Sequence, residues 1–261
     1  MRGVYHRSHG KRPTSQRART VPNQIRKPIE ALPSILLSLR ARWIKLSDYR
    51  LGYVLDHPAC PVSSDVKHVM KMAVEALDGR VGALEEGLPP GVYPVEQYTT
   101  YRFLLASTAA QSLKDDEYEE KRRQAQDQDG SYEPIIANAW TAPHKHFQTA
   151  NRERMTARAL WQEYFETHDA FLLPMSFLPA FPHDHSYPFW NRRLPTSESP
   201  RRYEDLLFWI SFATLTGLPA TVAPVGMTKD GLPVGIQIIG PYLEDATPID
   251  VAAKMVEFIG G

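Results

Sequence analysis

Leu215-Thr216-Gly217-Leu218-Pro219-Ala220, followed by Pro224-Val225-Gly226 and then Asp230-Gly231-Leu232-Pro233-Val234-Gly235-Ile236-Gln237-Ile238-Ile239-Gly240, decides the fold of this 261-residue chain. Ala220 to Ala223 and Val234 to Ile239 read as strands, being apolar and rich in β-branched residues. Lys229-Asp230-Gly231 between them reads as a turn, because Asp-Gly supplies the backbone conformations that a tight reversal needs. Gly217 and Pro219 shape the entry into the first strand, Gly235 permits close backbone approach, and Gly240-Pro241 stops the second strand. Gln237 breaks the apolar run. It either points outward by simple alternation or hydrogen-bonds neighbouring backbone, and the second reading is preferred.

Outward from this hairpin the chain alternates strands and helices. Tyr49 to Asp56 is a predicted strand, stopped by His57-Pro58. Ser63-Ser64-Asp65 offers N-cap oxygens for a helix whose Val66, Val69, Met70, Ala73, Val74 and Leu77 make one apolar face. Asp78-Gly79 ends it, and Arg80 to Glu85 is a second short strand. Strand, helix, strand in that order predicts a parallel crossover, hence an α/β fold rather than a bundle. Residues 94 to 113 have mixed helical character, with Tyr98, Tyr101, Leu104, Leu105 and Thr108 along one side. Lys114 to Gly130 is dense in charge and reads as a solvated helix or insertion. A long helix is expected from about Ala150 to Thr167, then a buried strand at Ala170 to Leu173. The proline-rich residues 174 to 200 read as an extended loop, Tyr203 to Leu215 as a helix, and Ile249 to Ile259 as a closing helix.

Composition bounds what this chain does. Its 43% apolar residues can fill a real core, and no apolar run approaches the ~20 residues that span a bilayer. The single cysteine, Cys60, excludes an internal disulfide and fits a reducing compartment. A soluble cytoplasmic protein is expected. The net charge of zero hides an asymmetry: Arg2, Arg7, Lys11, Arg12, Arg17, Arg19, Arg26 and Lys27 precede the first acidic residue, Glu30. Residues 1–44 are therefore read as a basic, disordered tail and connector, and residues 45–261 as the folded domain. The acid-free start leaves organellar import open as an alternative. A nucleic-acid role is not expected, because no aromatic interleaving or binding motif accompanies the charge.

The closing segment, with Pro241-Tyr242-Leu243-Glu244-Asp245-Ala246-Thr247 after it, resembles the end of the amidase signature family of serine hydrolases. The likeness extends from about Leu46 to Gly261. It takes in Arg50 to Asp56, the helix from Ser64, Glu85-Glu86-Gly87-Leu88-Pro89, Trp161 to Phe165, and Asp169-Ala170-Phe171-Leu172-Leu173-Pro174. Phe181-Pro182-His183-Asp184 is similar to a bacterial amidase subgroup. The resemblance implies part of a large mixed sheet flanked by helices, carboxamide hydrolysis, and no metal or organic cofactor. It also implies a nucleophilic serine, a bridging serine and a lysine, all placed before Tyr49, because an unassisted hydroxyl is a poor nucleophile. The chain has no Gly-x-Ser-x-Gly and no Gly-Gly-Ser-Ser run, and its one glycine beside a serine is Gly130, next to Ser131. Ser34, Ser38 and Lys45 lack the glycines that build an oxyanion hole and are read as connector residues.

No catalytic residue is therefore assigned, and the chain is expected to be inactive alone. An amide substrate is expected only where a catalytic half is supplied. A partner chain, or self-association, is expected to cover the sheet left exposed. Carried over from the family pattern, Trp190, Trp209 and Phe212 are candidates for an apolar substrate pocket. Thr214 stands where many relatives have asparagine. Gly217, Pro219, Gly231, Gly235, Gln237 and Gly240 are structural motif residues. His183-Asp184-His185 and the pair His144 and His146 supply no third convergent ligand, so no metal site is assigned. Cys60 has no neighbouring base and reads as a buried, inert thiol.

Overall fold

The computed structural model describes residues 41–126, 132–187, 191–196 and 199–259. In chain order its elements begin with strand β1 (Arg50–Tyr53), helix α1 (Ser64–Glu75), strand β2 (Ala83–Glu86) and helix α2 (Pro94–Ala109). Helices α3 (Asp115–Gln124), α4 (Tyr132–Thr141) and α5 (His144–Tyr164) follow, then strand β3 (Ala170–Pro174). A two-residue ladder, β4 (Arg193–Leu194) with β5 (Arg201–Arg202), precedes helix α6 (Leu207–Thr216). The hairpin β6 (Ala220–Met227) and β7 (Pro233–Ile239) leads into the last helix, α7 (Ala246–Ile259).

Five strands form one mixed sheet in the order β2-β1-β3-β7-β6. The crossover through α1 pairs β1 parallel to β2, with Leu51 opposite Leu84. β3 joins the other side of β1 in parallel, and β7 pairs antiparallel to β3 with Leu172 opposite Ile238. Every residue of β3 is buried. Alternate side chains of a strand point to opposite faces, so helices must cover both sides here. Trp161 of α5 seals Phe171 of β3 edge-on at 5.2 Å, while α7 packs on β6, β7 and β3, and α1 on β6 and β7. Leu51, Phe171, Leu172, Ile236, Ile238, Val251 and Met255 have no exposed surface at all. Among the described residues β2 and β6 are the sheet edges.

Several local expectations change. Ser63 occupies the N-cap of α1 without making a side-chain cap bond. Its backbone N–H is instead tied to Phe177 O at 2.8 Å, and its buried hydroxyl is left without a partner. The stripe expected on α2 is only partly buried: Tyr101 is in the core, but Leu105 and Thr108 face solvent, and Gln97, Thr100 and Ala106 are buried instead. Helix α5 starts at His144, about two turns before the expected Ala150, because its first turns hold a single half-buried apolar residue, Phe147, among exposed polar ones and show no apolar periodicity. β6 runs on to Met227 past a bulge between Pro224 and Gly226, where the register shifts. The helix expected from Tyr203 opens as a 3-10 turn, Tyr203–Leu206, before α6. As expected, α3 has no buried residue.

Candidate functional site

The motif residues meet where α6 ends and the hairpin begins. Gly217 closes α6 in the left-handed conformation, φ 69°, which L side chains disfavour. Its N–H donates to Ala213 O at 2.8 Å and the Leu218 N–H reaches the same carbonyl at 3.1 Å. The next orphan carbonyl, Thr216 O, accepts a 2.6 Å bond from Arg158 Nε of α5. A cation at a helix C-terminus also suits the helix dipole. The same guanidinium lies 4.4 Å from the centre of the Tyr242 ring. A Cβ on Gly217 would stand 2.8 Å from Arg158 Nη2. The turn is thus clamped from α5 on one side and by Tyr242 on the other.

Pro219 O accepts the Gly240 N–H at 2.9 Å, which joins the start of β6 to the end of β7. Gly240 itself packs against Pro248, whose Cδ would lie 2.5 Å from an added Cβ. Gly235 faces Val222 across the hairpin with similarly little room. Gly231, at φ 76°, makes the turn: its N–H donates to Thr228 O while the Thr228 N–H donates to Leu232 O. Gln237 is buried and its Nε2 donates to Trp209 O at 3.2 Å, binding β7 to α6.

Thr214, Gly217, Pro219, Ala220, Gln237 and Leu243 line a cavity of about 380 Å³ between α6 and the hairpin. Thr214 spends its hydroxyl on Ile210 O one turn back in α6. Leu243 is exposed and holds φ 66°, in a turn closed by the Glu244 N–H to Pro241 O. Trp209 and Phe212, expected at an apolar pocket, are only 1% exposed and stack on each other in the core. Helix α6 is apolar almost all round, and Thr214 is its one exposed residue. Neither lines this cavity. Trp190 lies outside the described residues.

Three further cavities surround the sheet. One of about 780 Å³ lies between α2 and α5, one of about 490 Å³ is walled by Glu85, Glu163, Glu166 and His168, and one of about 400 Å³ lies beside Arg42 and Glu244. None of the four is lined by a serine or a lysine. Among the described residues no serine hydroxyl bonds a lysine: Ser107, Ser112, Ser176 and Ser211 donate to carbonyls, Ser47 and Ser186 to aspartates. Nor do three His, Cys, Asp or Glu side chains converge among the described residues as a metal set. Cys60 is buried, and burial pushes its thiol up to about 11 against the opposing pull of Arg201, 3.3 Å away. A thiol held neutral in this way is a poor nucleophile.

The sequence did not point to Arg158 or Arg42, and it placed Tyr242 in the closing motif without a role. Arg42 donates twice to the Glu244 carboxylate, at 2.7 and 3.0 Å, and from Nη1 to Phe165 O, His168 O and Asp169 Oδ1. Asp169 in turn accepts the Arg50 N–H at 2.8 Å. One arginine from the predicted connector therefore ties α5, the head of β3 and the turn after β7 together. Only Asp169, placed just before a buried strand, carried any local signal.

The amidase family model matches residues 37–248. A glutamyl-tRNA(Gln) amidotransferase subunit from Salinibacter ruber is 30% identical over 117 residues, 43% of this chain and 20% of that protein. A fatty acid amide hydrolase of Arabidopsis thaliana is 43% identical over 53 residues, 20% of this chain and 9% of that protein. The matched part thus spans about a fifth or less of these relatives' length. Among solved structures, a bacterial aryl acylamidase of the amidase signature enzymes superposes with a TM-score of 0.60 at 16% identity, over 85% of this chain and 45% of that one. At that identity the likeness concerns the fold, the mixed sheet between helices that β1, β2, β3, β6 and β7 build here. With most of its length inside the family model and its motif turn closed as described, the chain belongs to the amidase family.

Proposed function

We propose that this chain is the substrate-side scaffold of an amidase, acting on carboxamide C–N bonds only when a second polypeptide segment supplies the serines and the lysine. The observation that carries this reading is the open cleft beside Thr214, which is lined by the motif residues Gly217, Pro219 and Gln237 yet has no serine or lysine in its wall. The names of the relatives, one an amide hydrolase and the other part of an amidotransferase, agree with chemistry at an amide nitrogen. The partner segment adds to the sheet along β6, an edge strand whose Val222 and Met227 are exposed. Unpaired edge N–H and C=O groups beside apolar side chains favour strand addition. The same edge supports a second reading, in which the chain binds a partner without taking part in catalysis. We place either activity in the cytoplasm, in keeping with one unpaired cysteine.

The test is hydrolysis of a panel of aliphatic and aromatic amides by the purified chain, with a serine-reactive fluorophosphonate probe alongside. The expected result is a folded sample with neither turnover nor a labelled serine. Adding a polypeptide with an amidase Gly/Ser-rich segment is expected to restore turnover, and labelling on the added chain. Turnover by this chain alone, abolished by replacing one of its own serines, overturns the reading. A stable complex with the added chain but no turnover favours the non-catalytic alternative.

A further inference from the structure

The groove of about 780 Å³ between α2 and α5 is the largest of the four cavities, and it has an unusual wall. Gln97 lines it while remaining only 5% exposed. Its side-chain oxygen faces Trp161 Nε1 at 3.5 Å. An indole N–H can only donate, so the amide must turn Oε1 toward it and Nε2 away. Among the described residues that Nε2 meets no acceptor, and it is left free to donate into the groove. One helical turn along α2, Thr100 donates to Glu153 Oε2 at 3.0 Å and pins this carboxylate at the groove. Glu153 Oε1 receives no bond from the described residues.

We propose that this groove binds a small carboxamide, at a site distinct from the cavity beside Thr214. The two polar groups are complementary to that one functional group. The ligand carbonyl accepts from Gln97 Nε2, and its N–H donates to the Glu153 carboxylate. An ester has no N–H to offer Glu153; a carboxylate has none either, and it enters a wall whose charge is net negative, Glu96 and Glu153 against Arg152. Tyr93, Val95, Leu160 and Leu215 give the wall an apolar part beside its threonines and charges, and there the ligand carries an aryl or branched alkyl group. Leu215 and Thr214 are neighbours on α6, and that helix separates this groove from the other cavity. Every residue used comes from this chain, so the inference stands whether or not a second segment completes a catalytic centre.

Benzamide titrated into the full-length ¹⁵N-labelled chain tests it, with methyl benzoate and benzoate as controls. The Gln97 side-chain NH₂ pair, assigned by its loss in Gln97→Met, and the Trp161 indole N–H are followed by NMR. Benzamide is expected to move both saturably, methyl benzoate to bind more weakly, and benzoate least. Glu153→Gln, a change at an exposed side chain, is expected to weaken benzamide about tenfold and to leave methyl benzoate unchanged, because only the amide uses that acceptor. Static Gln97 resonances, equal binding of ester and amide, or shifts confined to Thr214 and Gln237 each overturn the proposal. Should Gln97→Met fail to fold, the comparison of the wild-type chain with Glu153→Gln still decides it.

Discussion

Gly217→Ala tests the clamp at the motif turn. Two costs are separable in the structure. An alanine held at φ 69° loses about 1 kcal/mol relative to glycine, from the clash of Cβ with the following carbonyl. The new Cβ also stands 2.8 Å from Arg158 Nη2, so the guanidinium must withdraw. Withdrawal breaks its charge-assisted bond to Thr216 O and its contact with the Tyr242 ring, worth together about 2 kcal/mol. The expected total is about 3 kcal/mol. Arg158→Met alone should cost about 2 kcal/mol for the same lost contacts. In that background the steric conflict is gone, and Gly217→Ala should cost only about 1 kcal/mol. A double-mutant cycle read from urea midpoints should therefore give a coupling of about 2 kcal/mol. If Gly217→Ala costs the same with and without Arg158, within ~0.5 kcal/mol, the arginine is not the clamp and the reasoning fails.

Gly52 of β1 lies beneath the Tyr164 hydroxyl, and a Cβ there would overlap that oxygen; Gly52→Ala should cost about 2 kcal/mol or more, and Tyr164→Phe should recover part of it in thermal melts. Cys60 should resist a disulfide reagent at pH 8 until denaturant is added, and fast native labelling would contradict its burial. Its pH signature has a definite sign: the folded thiol, at about 11, keeps its proton where the unfolded thiol, near 9, has lost it. Stability carried by the neutral thiol is thus intact below about pH 9 and falls as pH rises toward 11, by up to roughly 3 kcal/mol. Cys60→Ala should flatten that slope in urea titrations at pH 8 and pH 11.

The elements legible in the sequence were those whose signal is local. The apolar face of α1, the all-buried β3 and the Asp230-Gly231 turn all carry their pattern within a few residues. What escaped depends on distant partners. Of residues 144–149 of α5 all but the half-buried Phe147 face water, so no periodicity marks them. Gln97 and Thr100 look like surface residues of a polar helix, yet α5 covers them. Arg158 reads as one more charge on a charged helix until the Thr216 carbonyl is placed beside it. The site residues divide along the same line. Thr214, Gly217, Pro219 and Gln237 meet at one cavity because they belong to one motif. Trp209 and Phe212 come from the family pattern; both rings are buried in the core and line none of the four cavities.

The contacts that hold the motif turn also bear on how a completed enzyme would assemble. Gly217 is held by Ala213 and Arg158, Pro219 by Gly240, and Gln237 by Trp209, and each of these partners belongs to this chain. The substrate side of the proposed site is therefore shaped before any second segment arrives. Among the described residues β6 is one of the two strands with an open side, and on the proposed reading pairing there adds an edge without remaking the core. On the proposed reading, association and not refolding limits the appearance of activity. Its rate should then rise in proportion to the concentration of the added segment. It should fall when Val222→Lys places a charge on the open edge, while the urea midpoint of the chain alone stays unchanged. A lag independent of concentration would mean instead that the turn is remade on binding, and that the clamp at Arg158 is not sufficient to hold it.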